Sequence, residues 1–183
     1  MRSCLLTAAL FTASSSLLAH DSLAAPRAPH KLDLRQAELF LATLDGKHTK
    51  LGPLAGKQLT LVNLWATWCT PCVGEMPALS KLRDKYKARG VEVVGIDVDE
   101  EPAQVRKFLA THPVTYPVLA STPNKTVAAL GNLEALPTSL LLDASGDVAE
   151  VLVGVLEIPD LEKAIDARLD ARPGTRPDAP KKK

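Results

Sequence analysis

Leu59-Thr60-Leu61-Val62-Asn63-Leu64-Trp65-Ala66-Thr67-Trp68-Cys69-Thr70-Pro71-Cys72 is the stretch that decides the fold. Leu59 to Trp65 is a continuous apolar run of strand length, as expected of a central strand covered on both faces. Two cysteines follow at once, one helical turn apart, at a strand-to-helix junction where unpaired backbone N–H groups favour a thiolate. This is redox chemistry. The alternatives are an inert thiol pair or half of a zinc site. Zinc needs four ligands, and no second Cys-x-x-Cys or spaced pair of histidines is present, so neither a metal nor a cofactor is expected.

Working outward, two short apolar runs between Glu38 and Leu51 flank the turn signal Asp45-Gly46-Lys47, which predicts a hairpin. From Cys72 onward, Val73, Met76, Leu79, Leu82 and Tyr86 recur at helical spacing up to the stop at Gly90, with Pro77 inside the pattern as a source of bending. Val91 to Val98 reads as a strand, and Glu101-Pro102 begins a helix carrying Val105, Phe108 and Leu109. Tyr116 to Ala120 reads as a short strand, and Thr122-Pro123 opens a helix that Gly131 ends. Thr138 to Leu142 and Val148 to Val153 form a hairpin around Ser145-Gly146-Asp147, and Ile158 to Leu169 closes the domain as an amphipathic helix. Strands alternating with helices, then a hairpin and a last helix, describe an α/β domain with a mixed sheet covered on both faces.

The 183 residues, 46% of them hydrophobic, suffice for one domain with a proper core, here placed at residues 38–170. A formal net charge of +1 leaves no field for nucleic acid or acidic partners. The basic excess belongs to residues 171–183, where Arg172, Arg176, Lys181, Lys182 and Lys183 face Asp178 in a segment without apolar periodicity, expected to be disordered. Residues 1–24 read as an export signal: Arg2, an apolar stretch from Leu5 to Leu18, and small residues suited to cleavage after Ala24. An uncleaved anchor is the alternative, although the run is shorter than the roughly 20 residues of a spanning helix. Residues 25–37 read as an extended lead-in. Cleavage removes Cys4 and leaves Cys69 and Cys72 as the only thiols, in an oxidising compartment, expected to be the periplasm.

The segment Trp65-Ala66-Thr67-Trp68-Cys69-Thr70-Pro71-Cys72 resembles the active site of thioredoxin-fold proteins, in particular the exported TlpA/ResA-like thiol-disulfide reductases. The likeness continues through Gly74-Glu75-Met76-Pro77, Val93 to Glu100, Phe108-Leu109 with Tyr116-Pro117-Val118-Leu119, and Leu136-Pro137-Thr138, over roughly residues 35 to 170. It implies a thioredoxin-like mixed sheet flanked by helices, with an N-terminal hairpin and a strand-helix insertion within residues 99 to 122. It also implies that Pro137 is cis and faces the cysteine pair, and that Leu136 offers backbone groups to an extended substrate segment; the alternative for Leu136 is a core leucine.

By the same resemblance Cys69 is the exposed attacking cysteine, Cys72 the resolving one, and together they form a redox-active disulfide. Thr70 and Pro71 tune the direction of electron flow. Pro71 brings no backbone donor to the Cys69 sulfur and Thr70 brings no cation, so the thiolate is less stabilised and the pair is a weaker oxidant. Asn63 stands where classical thioredoxins carry a buried Asp and cannot accept the proton of Cys72. Glu75 is the nearest alternative base, with a solvated first-turn carboxylate favoured by the helix dipole as the competing reading. Trp68 is expected to be a partly exposed contact beside the sulfur, and Trp65 a core residue. His48 and His112 are discounted as ligands, and Asp97, Asp99, Glu100 and Glu101 are read as dipole-favoured acidity ahead of a helix.

The function implied is dithiol exchange that reduces disulfides of other exported proteins, such as apocytochrome c or copper-site subunits. The partners are protein thiols or disulfides and an electron-donor thiol protein, soluble or membrane-bound. A disulfide oxidase or isomerase is the alternative, followed by a peroxiredoxin-like peroxidase, whose Pro-x-x-x-Thr-x-x-Cys pattern fails at Val62 and Ala66, and by a metal chaperone, whose cysteine spacing differs.

Overall fold

A computed structural model of the chain describes residues 41–121 and 135–171. The expected export signal, the lead-in, the helix from Thr122 to Gly131 and the tail beyond Ala171 lie outside these residues.

Seven strands form one sheet among the described residues: β1 (Leu41–Ala42), β2 (His48–Thr49), β3 (Leu59–Trp65), β4 (Val91–Asp97), β5 (Val118–Ser121), β6 (Thr138–Leu142) and β7 (Val148–Val153). Their order is β2-β1-β5-β4-β3-β6-β7. The three central neighbours β5, β4 and β3 run parallel, while β1 and β2 on one side and β6 and β7 on the other run antiparallel to their neighbours. Three α-helices accompany the sheet: α1 (Thr70–Tyr86), α2 (Pro102–Leu109) and α3 (Ile158–Asp170). The architecture is the thioredoxin-like mixed sheet with its N-terminal hairpin, and α2 with β5 forms the strand-helix insertion.

β3 is buried at every residue, and its alternation divides the core. Leu59, Leu61 and Trp65 face a layer built from Leu79, Leu82 and Tyr86 of α1 and Leu161, Ile165 and Leu169 of α3. Val62 and Leu64 face the opposite side with Val94, Ile96, Leu140 and Leu142. Asn63 falls by period on the α1 side, between Leu61 and Trp65. Arg83 of α1 pairs with Glu92 of β4, and Tyr86 donates to Asp166 of α3 at 3.0 Å, so α1 is tied to both neighbours.

α1 starts at Thr70 with Cys69 as its N-cap, at the strand-to-helix junction expected for the cysteine pair. The strand expected from Tyr116 starts instead at Val118. Pro117 has no N–H for the ladder and offers its carbonyl to the Gly95 N–H at 2.9 Å. The expected strand from Val91 ends at Asp97, although the Val98 N–H still reaches the Trp65 carbonyl at 3.0 Å. After α1 a short 3₁₀ turn, Lys87–Arg89, leads into Gly90, whose φ of 83° reverses the chain into β4.

Gly56 stands where the loop into β3 crosses the start of β4. A Cβ there would lie 2.1 Å from the Leu59 carbonyl oxygen and 2.7 Å from both the Glu92 nitrogen and the Gly90 oxygen, all of them backbone atoms that cannot turn aside. Gly56→Ala is therefore expected to destabilise the fold by about 2–4 kcal/mol, read as a lower urea midpoint at unchanged slope.

Candidate active site

The site forms where β3 hands over to α1. Trp65 ends the strand, the Cys69 N–H turns back to the Ala66 carbonyl at 3.0 Å, and α1 begins with Thr70 at its first and Pro71 at its second position. Proline suits this place because its missing N–H falls among donors that have no intrahelical partner. The Cys69 sulfur caps the helix, accepting the N–H of Cys72 at 3.4 Å. Cys69 and Cys72 form a disulfide with their Cα atoms 5.3 Å apart.

The expectation of an exposed Cys69 is corrected: in this disulfide state the residue is 4% exposed and Cys72 is fully buried. Cys69 turns its sulfur inward to bond Cys72. Thr70 and Pro71 are exposed, and Trp68, 64% exposed, is the large apolar surface beside the pair. Its indole N–H donates to Asp99 at 2.7 Å. Trp65 is fully buried, tilted against Phe108 with ring centroids 5.7 Å apart, and its indole nitrogen has no hydrogen-bond partner among the described residues.

A buried polar set joins α1 to the sheet. Asn63 donates through Nδ2 to Glu75 Oε1 at 2.8 Å and to the Ser139 hydroxyl at 3.0 Å. The second oxygen of Glu75 accepts the Leu156 N–H at 3.2 Å. Glu75 is 5% exposed, and with α1 starting at Thr70 it lies beyond the first turn, so the reading as a solvated, dipole-favoured carboxylate is corrected on both counts. Burial pushes its carboxyl above the ordinary value, against the lowering effect of the hydrogen bonds from Leu156 and Asn63. Tyr116 is buried nearby with its hydroxyl unpartnered among the described residues, and burial together with the charge of Glu75 raises its pKa.

The Leu136–Pro137 peptide is cis. Leu136 is half-buried and packs against both halves of the core, so the core-leucine reading describes its side chain. The Pro137 carbonyl accepts the Gly154 N–H at 2.9 Å, and Thr138 pairs with Val153. This places two exposed valines, Val153 (68% exposed) and Val155, next to the cis peptide. The sequence pattern did not mark them, because alternation in an edge strand does not show which face stays uncovered.

The acidic run was misread. Asp97 is fully buried, Asp99 binds Trp68, and Glu100 accepts the Thr67 hydroxyl at 2.6 Å, with its other oxygen 3.5 Å from the Thr67 nitrogen. Two of the four residues read as helix-leading charge, Asp99 and Glu100, thus hold the active-site loop, and Asp97 is buried behind them. The cause is the parallel pairing of β3 and β4, which brings the loops after Trp65 and Asp97 side by side. His112 stacks on Phe108 with centroids 4.1 Å apart.

A family model described as Redoxin matches residues 24–165. The thiol-disulfide oxidoreductase ResA of Bacillus thuringiensis (strain Al Hakam) is 39% identical over 121 residues, covering 66% of this chain and 69% of that protein. Among solved structures, a thiol:disulfide interchange protein of the thioredoxin family from Chlorobium tepidum TLS is 33% identical with a TM-score of 0.60, covering 70% of this chain and 90% of its own. A secreted thiol-disulfide isomerase from Corynebacterium glutamicum is 26% identical with a TM-score of 0.63, covering 72% and 84%.

Asn63 supplies the test of this buried polar set. In Asn63→Asp the donor to Glu75 is replaced by a second carboxyl, so both groups resist ionisation and stability is lost as pH rises through their raised pKa values. The expected loss is about 3 kcal/mol at neutral pH, shrinking toward zero near pH 4 where both are protonated. Urea unfolding at the two pH values measures it.

Proposed function

The chain belongs to the Redoxin family and is a thiol-disulfide oxidoreductase of thioredoxin fold similar to ResA, and from this we propose that it is exported to the periplasm and reduces disulfides of other exported proteins. The observation that carries this reading is the Thr70-Pro71 pair at the start of α1. Neither residue adds a cation, Pro71 adds no N–H, and the donor aimed at the Cys69 sulfur is the Cys72 amide. A thiolate with so few local donors is only moderately stabilised, which favours giving up electrons over taking them.

In the reduced protein the Cys69 thiolate attacks one sulfur of a partner's disulfide. A bond forms between Cys69 and that sulfur, and the partner's other sulfur leaves as a thiolate. Cys72 then loses its proton and attacks Cys69. The mixed disulfide breaks, the Cys69–Cys72 disulfide forms, and the second partner sulfur departs. Two electrons pass from the dithiol to the partner, and a donor dithiol protein restores the pair by the reverse steps.

Glu75 suits the proton step. It sits three residues beyond Cys72 on α1, and its raised pKa keeps it able to take up a proton that a solvated carboxylate would refuse. The partner segment docks along Leu136-Pro137, with Trp68, Val153 and Val155 as its apolar surround. The substrates proposed are cysteine pairs of exported proteins such as apocytochrome c or copper-site subunits. An isomerase function is the second reading, favoured by the likeness to the secreted isomerase of Corynebacterium glutamicum.

The potential separates a reductase from an oxidase or isomerase. A reductase is expected well below the roughly −180 mV of protein disulfide isomerase and the roughly −120 mV of strong oxidases, and a value as high as the latter overturns the proposal. Cys72→Ser expressed in the native host is expected to remain linked through Cys69 to its substrates, and an empty trap from exported, folded protein counts against protein substrates. For Glu75→Gln, the pH profile of reduction is expected to lose one step and the rate to fall about 10- to 100-fold. An unchanged profile removes Glu75 from the chemistry.

A further inference from the structure

The exchange at Cys69–Cys72 draws on Glu75 and leaves a second buried carboxyl without a role. Asp97 ends β4, fully buried and opposite Trp65 in the parallel register. Its Oδ1 accepts the N–H groups of Asp99 at 3.1 Å and Glu100 at 2.8 Å, an Asx-type turn that folds the chain back toward β3. The turn aims two further carboxylates at the facing loop: Glu100 at Thr67, Asp99 at the Trp68 indole. Thr67 and Trp68 are the two residues that lead into Cys69.

Asp97 Oδ2 is buried without a hydrogen-bond partner among the described residues. An anion placed so, beside the Glu100 carboxylate, is strongly disfavoured, whereas the neutral acid has an O–H to give to Glu100. Burial first, and then that hydrogen bond, push the Asp97 carboxyl up to about 8. Glu100 and Asp99 are the charged groups of its own turn. The facing loop brings Thr67 and Trp68, and the neighbouring strands bring Trp65 and Ala120 opposite it, all uncharged.

We propose that Asp97 is a positioning residue: as a neutral acid it shares its proton with Glu100, and the pair holds Thr67, and with it the backbone leading to Cys69, in the geometry for exchange. The proposal rests on dithiol exchange at the pair, whatever its direction or substrate. When the proton leaves, the buried Oδ2 side becomes an anion next to the Glu100 carboxylate in the same turn, and the repulsion turns Glu100 to water and releases Thr67.

Asp97→Asn separates this from a merely structural role, since it keeps an oxygen for the two N–H groups and an N–H for Glu100 but cannot ionise. In the oxidised protein, where neither cysteine titrates, the Trp68 indole N–H resonance is followed by NMR across neutral and alkaline pH. A step near pH 8 is expected in the natural protein and in Glu75→Gln, and is absent in Asp97→Asn. The equilibrium with glutathione at neutral pH is expected to shift about threefold to tenfold in Asp97→Ala, with Asp97→Asn restoring it to within about twofold. Should Asp97→Ala fail to fold, Thr67→Val removes only the hydroxyl that Glu100 holds and is expected to shift the equilibrium likewise. A flat natural protein, a step that persists in Asp97→Asn, or variants with unmoved equilibria overturn the proposal. A high absolute potential would defeat the reductase reading and leave these ratios between variants untouched.

Discussion

The in-register parallel pairing of β3 with β4, from Leu59 opposite Val91 to Trp65 opposite Asp97, is the constraint on which the site depends. Because the two strands run the same way and stop at the same level, the loop that carries the cysteines and the loop that carries the carboxylates emerge side by side. Side chains alternate with a period of two, so a slip of one residue would move Asn63 to the opposite face and break its bond to Glu75. Such a slip would also exchange Leu59, Leu61 and Trp65 with Val62 and Leu64 between two cores of different shape. The packing of β3, buried on both faces between β4 and β6, therefore sets the register, and the register sets the chemistry.

That register places polar groups where a sheet would otherwise be apolar. Asn63, Glu75 and Ser139 form a connected buried set closed by the Leu156 N–H, while the Asn63 oxygen, the Trp65 indole nitrogen and the Tyr116 hydroxyl lack partners among the described residues. Buried polar groups without partners each cost about 1–3 kcal/mol. Trp65 and Tyr116 belong to the core layer that also takes in Cys69 and Cys72, so part of this polarity shares the cysteines' side of the sheet. For Glu75, burial favours the neutral acid while the donors Leu156 and Asn63 favour the anion, and burial prevails.

Much of this was legible in the chain. Leu59–Trp65, Thr138–Leu142 and Val148–Val153 were bounded residue for residue, since each is an apolar or alternating run closed by turn residues. The start of α1 is legible too, because the apolar strand stops at Trp65 and the cysteine pair follows it at the junction, with Cys69 at the helix start. Glu75 stayed ambiguous because what buries it arrives from far along the chain: Leu156 lies 81 positions away. The acidic run was misjudged for the same reason. Its partners Thr67 and Trp68 stand 33 and 31 positions upstream of Glu100 and Asp99, and a local pattern of charge carries no record of a neighbour delivered by strand pairing.

The two buried carboxyls divide the work by where they attach. Glu75 sits on α1, the helix that carries Cys72, and its bonds run inward to Asn63 and Leu156. Asp97 sits on β4 and acts outward through Glu100 on the loop that carries Cys69. The sulfur that must be deprotonated in an enclosed place thus has a carboxyl on its own helix. The loop that carries the other sulfur is held at the Thr67 hydroxyl by Glu100, whose turn is fixed by the Asp97 carboxyl at the end of β4. The environments differ among the described residues: Glu75 has two donors from elsewhere in the chain, and Asp97 has donors from its own turn with a second carboxylate alongside. One strand pairing supplies both, because it fixes Asn63 beneath α1 and Asp97 beside the loop in a single register.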